Sequence, residues 1–438
     1  MVYRIPYGEK ELKFSLPDHW RVVSVAEPKK VDQIAEIQIN NVVRESFLNP
    51  IGTEPLNKLL KPSDKVVIVV NDISRPTPSS LLVKPLIDFL INTVNLPVED
   101  IQIIFGLGVH REMTEIDVKK KLGTNITNQV SWENHNCYDN LVDLKEKSSF
   151  GTPILVNKTY IDADFTIAIG LIEPHLWAGY SGGYKAIIPG IVGVHTIVHN
   201  HHLLMKKNVQ VGKIKNNPFR QDIEEVGKRI GLNFIINCVM NHNKKICEIF
   251  SGDPSSAFQE GVEYARSLYE IPIKEQSDVV IAGAAPLGID FRQSGKACMN
   301  TQSALKNGGV MIVISECPEG IGNLRLSEKP PKRGVIKALS RYLPAKMLMK
   351  VITKQNPGVE DSSSLFQMFK FLSRKNYIFL TENLTEEERR KLSVADHVTT
   401  IEEAFIQADK ILGNEKKKKP VKVTIFPFGG CSYPRLTS

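Results

Sequence analysis

The chain has 438 residues, of which 42% are hydrophobic and 24% are charged, a balance typical of a soluble globular protein. This length exceeds what one hydrophobic core usually serves, so it predicts two domains. The sequence shows no signal-peptide pattern and no run of roughly 18 apolar residues, which predicts a cytoplasmic protein without a membrane partner.

The net charge of +8 is compatible with a nucleic acid or an acidic small molecule as partner. Its densest part, the lysines at 416–419, lacks the interleaved aromatic residues of a single-strand-binding surface. We therefore expect no nucleic-acid partner. The six cysteines are scattered without a C-x-x-C pair, which argues against both a disulfide framework and a thiolate zinc site.

Short apolar runs rich in β-branched residues alternate with helical patterns along the chain. Runs of this kind are typical of strands buried on both faces, so they predict an α/β protein with mostly parallel sheets. A polar segment at 267–276 predicts a boundary between domains of residues 1–272 and 273–438, with the active site in the cleft between them. The predicted strands are 66–72, 101–106, 164–170, 278–283, 310–315 and 377–381.

Polar side chains follow the first two predicted strands. Asp72, Ser74 and Arg75 come after the first run, and His110 comes shortly after the second. Open α/β sheets bind their ligands at the carboxyl ends of the strands, which makes these residues candidates for a site. Two alternatives remain open: Asp72 and Arg75 could pair only with each other, and His110 could be structural.

Residues 173–202 read EPHLWAGYSGGYKAIIPGIVGVHTIVHNHH and contain five of the ten histidines. His175 follows a proline, and Lys185 follows a Ser-Gly-Gly turn that can present backbone N–H groups to a phosphate. The spacing of a Walker A loop is absent. The lysine is therefore either a phosphate contact or, if desolvated, a nucleophilic amine.

Several of these histidines are candidate metal ligands. His195 and His199 are four residues apart on a predicted helix, which is the spacing of a metal-binding pair. Spacing alone does not choose between His199 and His201. Imidazole suits zinc, copper, nickel and iron, and no thiolate or carboxylate cluster accompanies these residues. A metal with so few protein ligands predicts an organic cofactor that completes its coordination.

Five motifs in this order resemble the nickel-pincer lactate racemase family over essentially the whole chain. The motifs are DISR at 72–75, GVHR at 108–111, H-x-x-A-G-x-S-G-G-x-K at 175–185, NH at 200–201 and Q-x-x-K at 293–296. The resemblance implies an isomerase that inverts C2 of a 2-hydroxy acid by reversible hydride transfer.

The resemblance also implies a cofactor and a role for each matched residue. The cofactor is a nickel-pincer nucleotide, Ni(II)-pyridinium-3,5-bisthiocarboxylate mononucleotide, made by separate cofactor-synthesis proteins. Lys185 would join it through a thioamide, and His201 would be the protein ligand to nickel. The remaining implied roles are cofactor contacts for Asp72, Ser74 and Arg75, an acid/base pair of His110 and His175, and substrate-carboxylate contacts for Gln293 and Lys296.

One position departs from the family pattern. Members that act on lactate carry a tyrosine before the glutamine, whereas this chain has Arg292. A guanidinium there suits a second carboxylate, so malate or a sugar acid is an alternative substrate class. Arg292 could instead point to solvent. A further alternative is a non-catalytic binder of an acidic or phosphorylated metabolite.

Overall fold

The structure is a computed structural model that describes residues 1–322, 324, 330, 332–344, 347–348, 350, 359–416 and 419–437. Two lysines of the basic run, Lys417 and Lys418, lie outside these residues. The chain folds into two compact units. The central unit is Lys30–Ser267, and the terminal unit combines Met1–Lys29 with Leu268–Ser438.

Strands and helices are numbered here in chain order through the described residues. The strands are β1 Tyr3–Tyr7, β2 Lys10–Phe14, β3 Trp20–Val25, β4 Val66–Asn71, β5 Ile101–Gly106, β6 Ser131–Asn134, β7 Leu141–Lys147, β8 Pro153–Asn157, β9 Phe165–Leu171, β10 Pro174–His175, β11 Gly179–Tyr180, β12 Phe234–Met240, β13 Ile246–Gly252, β14 Glu270–Ile273, β15 Ser277–Gly283, β16 Leu305–Ile314, β17 Asn376–Leu380, β18 Asp396–Val398, β19 Val421–Phe426 and β20 Tyr433–Leu436. The helices are α1 Glu36–Leu48, α2 Leu56–Leu59, α3 Ser79–Asn92, α4 Glu115–Leu122, α5 Thr124–Gln129, α6 Lys158–Ile161, α7 Val194–His202, α8 Pro218–Ile230, α9 Ser256–Tyr269, α10 Phe291–Thr301, α11 Arg333–Tyr342, α12 Val359–Leu372, α13 Glu386–Lys391 and α14 Ile401–Ile411.

The central unit is built around a six-stranded sheet of order β13-β12-β9-β4-β5-β6, in which only the edge strand β13 is antiparallel. Strand β4 lies in the middle and is apolar and buried from Val66 to Val70. Val70 is paired with Phe105 of β5 on one side and Ile169 of β9 on the other. The strand order reverses at β4, and the three strands end at the same level. Ligands of open α/β sheets bind at such a position.

The terminal unit contains a second six-stranded sheet, of order β18-β17-β16-β15-β19-β3, whose pairings are all parallel. Strand β15 lies between β16 and β19, so the strand order also reverses there. Ile281 is paired with Ile312 on one side and Ile425 on the other, inside the hydrophobic core of this unit. Helix α10 begins eight residues after β15 ends, at the carboxyl edge of the sheet.

The predicted fold class, an α/β protein of two domains with mostly parallel sheets, is confirmed. All six predicted strands are present, as β4, β5, β9, β15, β16 and β17. Each of them is central in its sheet, with strands on both sides. Among the described residues, no helix is long and apolar enough to cross a membrane.

The predicted domains, 1–272 and 273–438, differ from the two compact units in two places, since residues 268–272 and residues 1–29 both belong to the terminal unit. Residues 1–29 belong to the terminal unit, because β3 pairs in parallel with β19. The indole Nε1 of Trp20 also donates a hydrogen bond to Asp409 Oδ1 at 3.1 Å. Where the chain leaves and re-enters the terminal unit, the peptide N–H of Lys29 donates to the carbonyl of Leu268 at 3.0 Å. In the sequence, the central unit is therefore an insertion between the two parts of the terminal unit. These two parts are joined by the pairing of β3 with β19.

Candidate active site

The loops after β4 and β5 meet in a carboxylate–imidazole pair. Asp72 contacts Nδ1 of His110 and accepts the peptide N–H of Ser74 at 2.8 Å and its hydroxyl at 2.5 Å. Burial raises the pKa of Asp72, but the His110 hydrogen bond and charge, with Arg75 nearby, outweigh burial and lower the pKa to about 2. The carboxylate is therefore ionised and can only accept, so Nδ1 of His110 carries a proton and, when the ring is neutral, Nε2 carries the lone pair.

A buried lysine, which was not predicted from the sequence, stabilises the loop after β4. Lys121 of α4 is 6% exposed, and its ammonium donates to the carbonyls of Arg75 at 2.8 Å and Thr77 at 3.0 Å. Burial lowers the pKa of Lys121 to about 8, although the charge of Asp72 opposes the shift. The run of lysines at 119–121 resembles a solvated helix face, so the burial of Lys121 was not predictable from the sequence.

His175 is held by its own hairpin, which consists of β10 and β11. Its Nδ1 accepts the peptide N–H groups of Trp177 at 3.2 Å and Ala178 at 3.1 Å. Because a peptide N–H can only donate, Nδ1 is the acceptor, and the proton of the neutral ring is on Nε2. His175 therefore has the opposite tautomer to His110.

His201 lies on α7 and is 5% exposed. Its Nδ1 donates to the carbonyl of Ile197 at 2.9 Å, so the lone pair of the neutral ring is on Nε2, as a metal ligand requires. The ring meets the edge of Trp177 at 5.5 Å and the ring of Phe219 at 5.4 Å between centroids. Trp177 also contacts the His175 ring at 5.9 Å, so one indole joins the two histidines.

The other histidines of α7 lie elsewhere on the helix. His199 is half-buried, and its Nδ1 is 3.1 Å from the hydroxyl of Thr152. His195 is exposed. Of His195, His199 and His201, only His201 makes a ring contact with Trp177, which favours His201 over His199 as the metal-ligand candidate.

The predicted glycine turn before Lys185 is present as a tight backbone turn. The hydroxyl of Ser181 donates to the carbonyl of Leu171 at 2.6 Å, which ties the turn to the end of β9. Gly182 has φ +88°, and a Cβ there would lie 2.7 Å from Oδ1 of Asn237. Only glycine fits this position without displacing its neighbours. Lys185 follows in a short 3-10 turn and is half-buried.

A fully buried arginine, also missed at the sequence level, supports the same turn. Arg220 of α8 donates to the carbonyls of Tyr180 at 3.2 Å and Gly182 at 3.3 Å. Its guanidinium carbon is 3.8 Å from the centroid of the Phe258 ring, and its Nε donates to Glu224 at 2.6 Å. Burial lowers the pKa of Arg220, while Glu224 opposes the shift. Its partners are mostly backbone groups, which leave no sequence motif.

Backbone contacts also connect the Lys185 turn with the His110 loop. The peptide N–H of Gly108 donates to the carbonyl of Gly190 at 2.9 Å. A Cβ at Gly106 would lie only 3.3 Å from Cα of Gly190, so the absence of side chains lets the two segments approach. The loop that carries His110 is therefore joined to the segment that follows Lys185.

The three predicted substrate contacts lie in the terminal unit, at the start of α10. The Oδ1 atom of Asp290 caps this helix by accepting the peptide N–H of Gln293 at 2.6 Å. Burial raises the pKa of Asp290, and the charges of Arg292 and Lys296 oppose the shift. Arg292, Gln293 and Lys296 are all partly exposed, while their helix neighbours are buried. They therefore share the outer face of the first turns.

Among the described residues, no group of three or more His, Cys, Asp or Glu side chains is arranged to hold a metal ion. Imidazoles and a lysine gathered at the carboxyl edge of a parallel sheet define the central unit as part of an α/β enzyme. Two sequence profiles match the chain, that of the lactate racemase N-terminal domain over residues 7–212 and that of the lactate racemase C-terminal domain over residues 273–430.

Individual relatives agree with the profiles. The chain is 32% identical to the lactate racemase of Thermoanaerobacterium thermosaccharolyticum over 323 residues, which cover 73% of this chain and 75% of that protein. It is 30% identical to the lactate racemase of Lactiplantibacillus plantarum over 286 residues, 64% of this chain and 66% of that protein. The chain belongs to the lactate racemase family. It is therefore an isomerase, which argues against the non-catalytic binder.

Solved structures show the same architecture. The lactate racemase apoprotein from T. thermosaccharolyticum matches with a TM-score of 0.84 and 26% identity, over 99% of this chain and 100% of that chain. A crystal structure of a Thermotoga maritima protein matches with a TM-score of 0.63 and 19% identity, over 93% of this chain and 100% of that one. The second match shows the fold alone.

We expect Asp72→Asn to lower the free energy of unfolding by about 2 kcal/mol at pH 7, since the pKa of Asp72 falls from 3.8 to about 2 on folding. A depressed folded pKa stabilises the protein above the unfolded pKa, and this contribution is lost as the pH falls from about 4 towards 2. Urea unfolding at pH 7 and pH 3 measures the difference, with the exposed Asp139→Asn as control. If Asp72→Asn lowers the free energy of unfolding by the same amount at both pH values, the low pKa of Asp72 is contradicted.

Proposed function

We propose that the protein is a 2-hydroxy acid racemase of the lactate racemase type that uses a nickel-pincer nucleotide. One observation carries the proposal: the protein engages Nδ1 of each of three predicted imidazoles, those of His110, His175 and His201. In each neutral ring, the contact at Nδ1 determines which nitrogen carries the proton. It also leaves Nε2 as the nitrogen that can contact the substrate or the metal. The names of the relatives support lactate as the reference substrate.

The residues present fit the proposed cofactor. Nickel accepts imidazole ligands, and the tautomer of His201 places a lone pair on Nε2. Lys185, on its glycine turn, would supply the amine for a thioamide. Two buried polar atoms beside these residues, Nε1 of Trp177 and Oδ1 of Asn200, have no hydrogen-bond partner among the described residues. When bound, the cofactor supplies reversible acceptance of the hydride from C2 of the substrate.

His110 has the arrangement of a general base. Its Nε2 lone pair can take the proton of the substrate hydroxyl while Asp72, bonded to Nδ1, stabilises the imidazolium that forms. The low pKa of Asp72 keeps the carboxylate ionised across the physiological range, so this support does not titrate near neutral pH. We expect His110 to act on the enantiomer whose hydroxyl faces it.

His175 is set up differently. The two peptide N–H groups at its Nδ1 oppose protonation of that atom, and the neutral ring presents Nε2–H. In this orientation His175 is a hydrogen-bond donor to the substrate oxygen and holds the planar 2-keto acid. We propose that the two histidines form an asymmetric acid/base pair, and that His175 must change its hydrogen bonds before it can act as a base.

The substrate carboxylate is assigned to Gln293 and Lys296, which share the outer face of α10 near its N-terminus. The partial positive charge at a helix N-terminus also favours an anion there. That both units contribute to one site remains a prediction. The cofactor must come from separate synthesis proteins, so protein expressed without them should be inactive.

We expect Lys185→Ala to abolish covalent retention of the cofactor, because the proposed thioamide requires its amine. Intact mass of denatured protein, expressed with and without the cofactor-synthesis proteins, measures the adduct. Lys215→Ala, at an exposed lysine of the same unit, is the control and should keep it. An unchanged adduct on the Lys185 variant, or no adduct and no racemisation with wild-type protein, contradicts the proposed function.

We also expect His201→Ala to lower nickel content more than His199→Ala does, because His201 is buried in the cluster around Trp177 and His199 contacts Thr152. Metal analysis at equal cofactor load compares the two variants. The reverse order, with nickel lost only from the His199 variant, shows that His201 is not the ligand.

A second substrate class follows from Arg292. Its side chain shares the partly exposed face of α10 with Lys296, and a guanidinium there suits bidentate binding of a second carboxylate. A guanidinium that contacts the substrate would favour a second carboxylate over the uncharged methyl group of lactate. We therefore propose malate or a polyhydroxylated sugar acid as the alternative substrate.

If Arg292 contacts substrate, Arg292→Tyr should shift the preference towards lactate by about tenfold or more. The ratio of kcat/KM for malate, gluconate and lactate, measured in both proteins loaded with cofactor, tests this expectation. Wild-type protein that already favours lactate by about tenfold would show that Arg292 does not select the substrate.

A further inference from the structure

The indole of Trp177 has an unexplained polar atom. Its Nε1 is buried, and no described residue accepts its hydrogen bond. Buried indole N–H groups usually have a partner, because removal from water is unfavourable unless a new hydrogen bond replaces the lost one. The corresponding atom of Trp20 has such a partner in Asp409. The partner of Trp177 must therefore be a group that the described residues do not provide.

The surroundings of Trp177 indicate what that group is. The indole meets the ring of His175 at 5.9 Å and that of His201 at 5.5 Å, both nearly edge-on. These are the residues to which the proposed function assigns proton transfer and nickel ligation. An acceptor bound beside both histidines would belong to the cofactor or to the substrate.

The position of this indole is fixed before any ligand binds. The carbonyl of Trp177 accepts the side-chain amide of Asn217 at 2.7 Å, and its peptide N–H donates to His175. Gly179, which closes the hairpin, has φ +78°, and a Cβ there would lie 2.3 Å from the carbonyl oxygen of Lys213. The ring also packs against Phe219 at 6.1 Å. Because these contacts hold Trp177 in place, its Nε1–H needs little reorganisation to bind an acceptor.

We propose that Trp177 is a ligand-binding residue whose Nε1–H donates a hydrogen bond to an oxygen or sulfur atom of the nickel-pincer cofactor beside His201. This inference rests on the proposed function. The substrate could supply the same acceptor chemistry, and a buried water bridging Trp177 to Asn200 Oδ1 is the non-functional alternative, since that oxygen also has no partner among the described residues.

Indole NMR tests the hydrogen bond directly. The full chain is labelled with 15N-tryptophan, and its three indole N–H signals are assigned with Trp20→Phe, Trp132→Phe and Trp177→Phe. We expect the Trp177 proton signal to move downfield when the protein is loaded with cofactor. The Trp20 signal should stay in place, because its donor is already bonded to Asp409 in the other unit.

A chelator assay gives an independent measure. Loss of one hydrogen bond to the cofactor should make loaded Trp177→Phe release nickel about tenfold faster than wild type. Trp132→Phe, at a half-buried indole of the same unit, is the matched control and should release nickel at the wild-type rate. Thermal unfolding of the apo forms should show that Trp177→Phe still folds, with a loss of stability that reflects the smaller ring.

The outcomes separate the possible partners. A signal that moves only when a 2-hydroxy acid is added to loaded protein assigns the acceptor to the substrate and overturns the cofactor contact. A signal that is downfield already in apo protein and does not move on loading indicates the buried water and also overturns it. Wild-type protein that binds no nickel and carries no adduct contradicts the proposed function itself. Normal loading with equal nickel release by both variants contradicts only the role of Trp177.

Discussion

The arrangement of the central unit depends on the common level at which three parallel strands end. Val70 is in register with Phe105 and Ile169, so β4, β5 and β9 deliver their following loops to one edge of the sheet. Asp72 can therefore meet His110, although the two residues are 38 positions apart in the chain.

Buried cations hold these loops without entering the proposed chemistry. Lys121 binds the carbonyls of the loop after β4, and Arg220 binds those of the glycine turn. A buried charge is stable only where other polar groups replace its hydration, and here they include two backbone carbonyls for each cation, with Glu224 as a further partner of Arg220. Loss of either cation would remove two hydrogen bonds to these loops at once.

Patterns along the chain predicted the central strands of both sheets and named the candidate site residues, whose roles stay predictions. Apolar runs identify strands such as β4 because both faces are covered, and polar residues after a strand end identify Asp72 and His110. The tautomers were not predictable, since they depend on which groups approach each ring nitrogen: a carboxylate at His110 and peptide N–H groups at His175. The pairing of β3 with β19 was also missed, because its two strands lie near opposite ends of the chain.

This pairing bears on how the protein is synthesised. The ribosome makes residues 1–29 first, but their partner strand β19 begins only at Val421. The first strand of the terminal sheet must therefore wait, with its edge unpaired, while the whole central unit emerges and folds. The central unit is continuous in sequence and can complete its core early. During synthesis, β3 can therefore pair with β19 only after the central unit has emerged, and its edge is open to other strands until then.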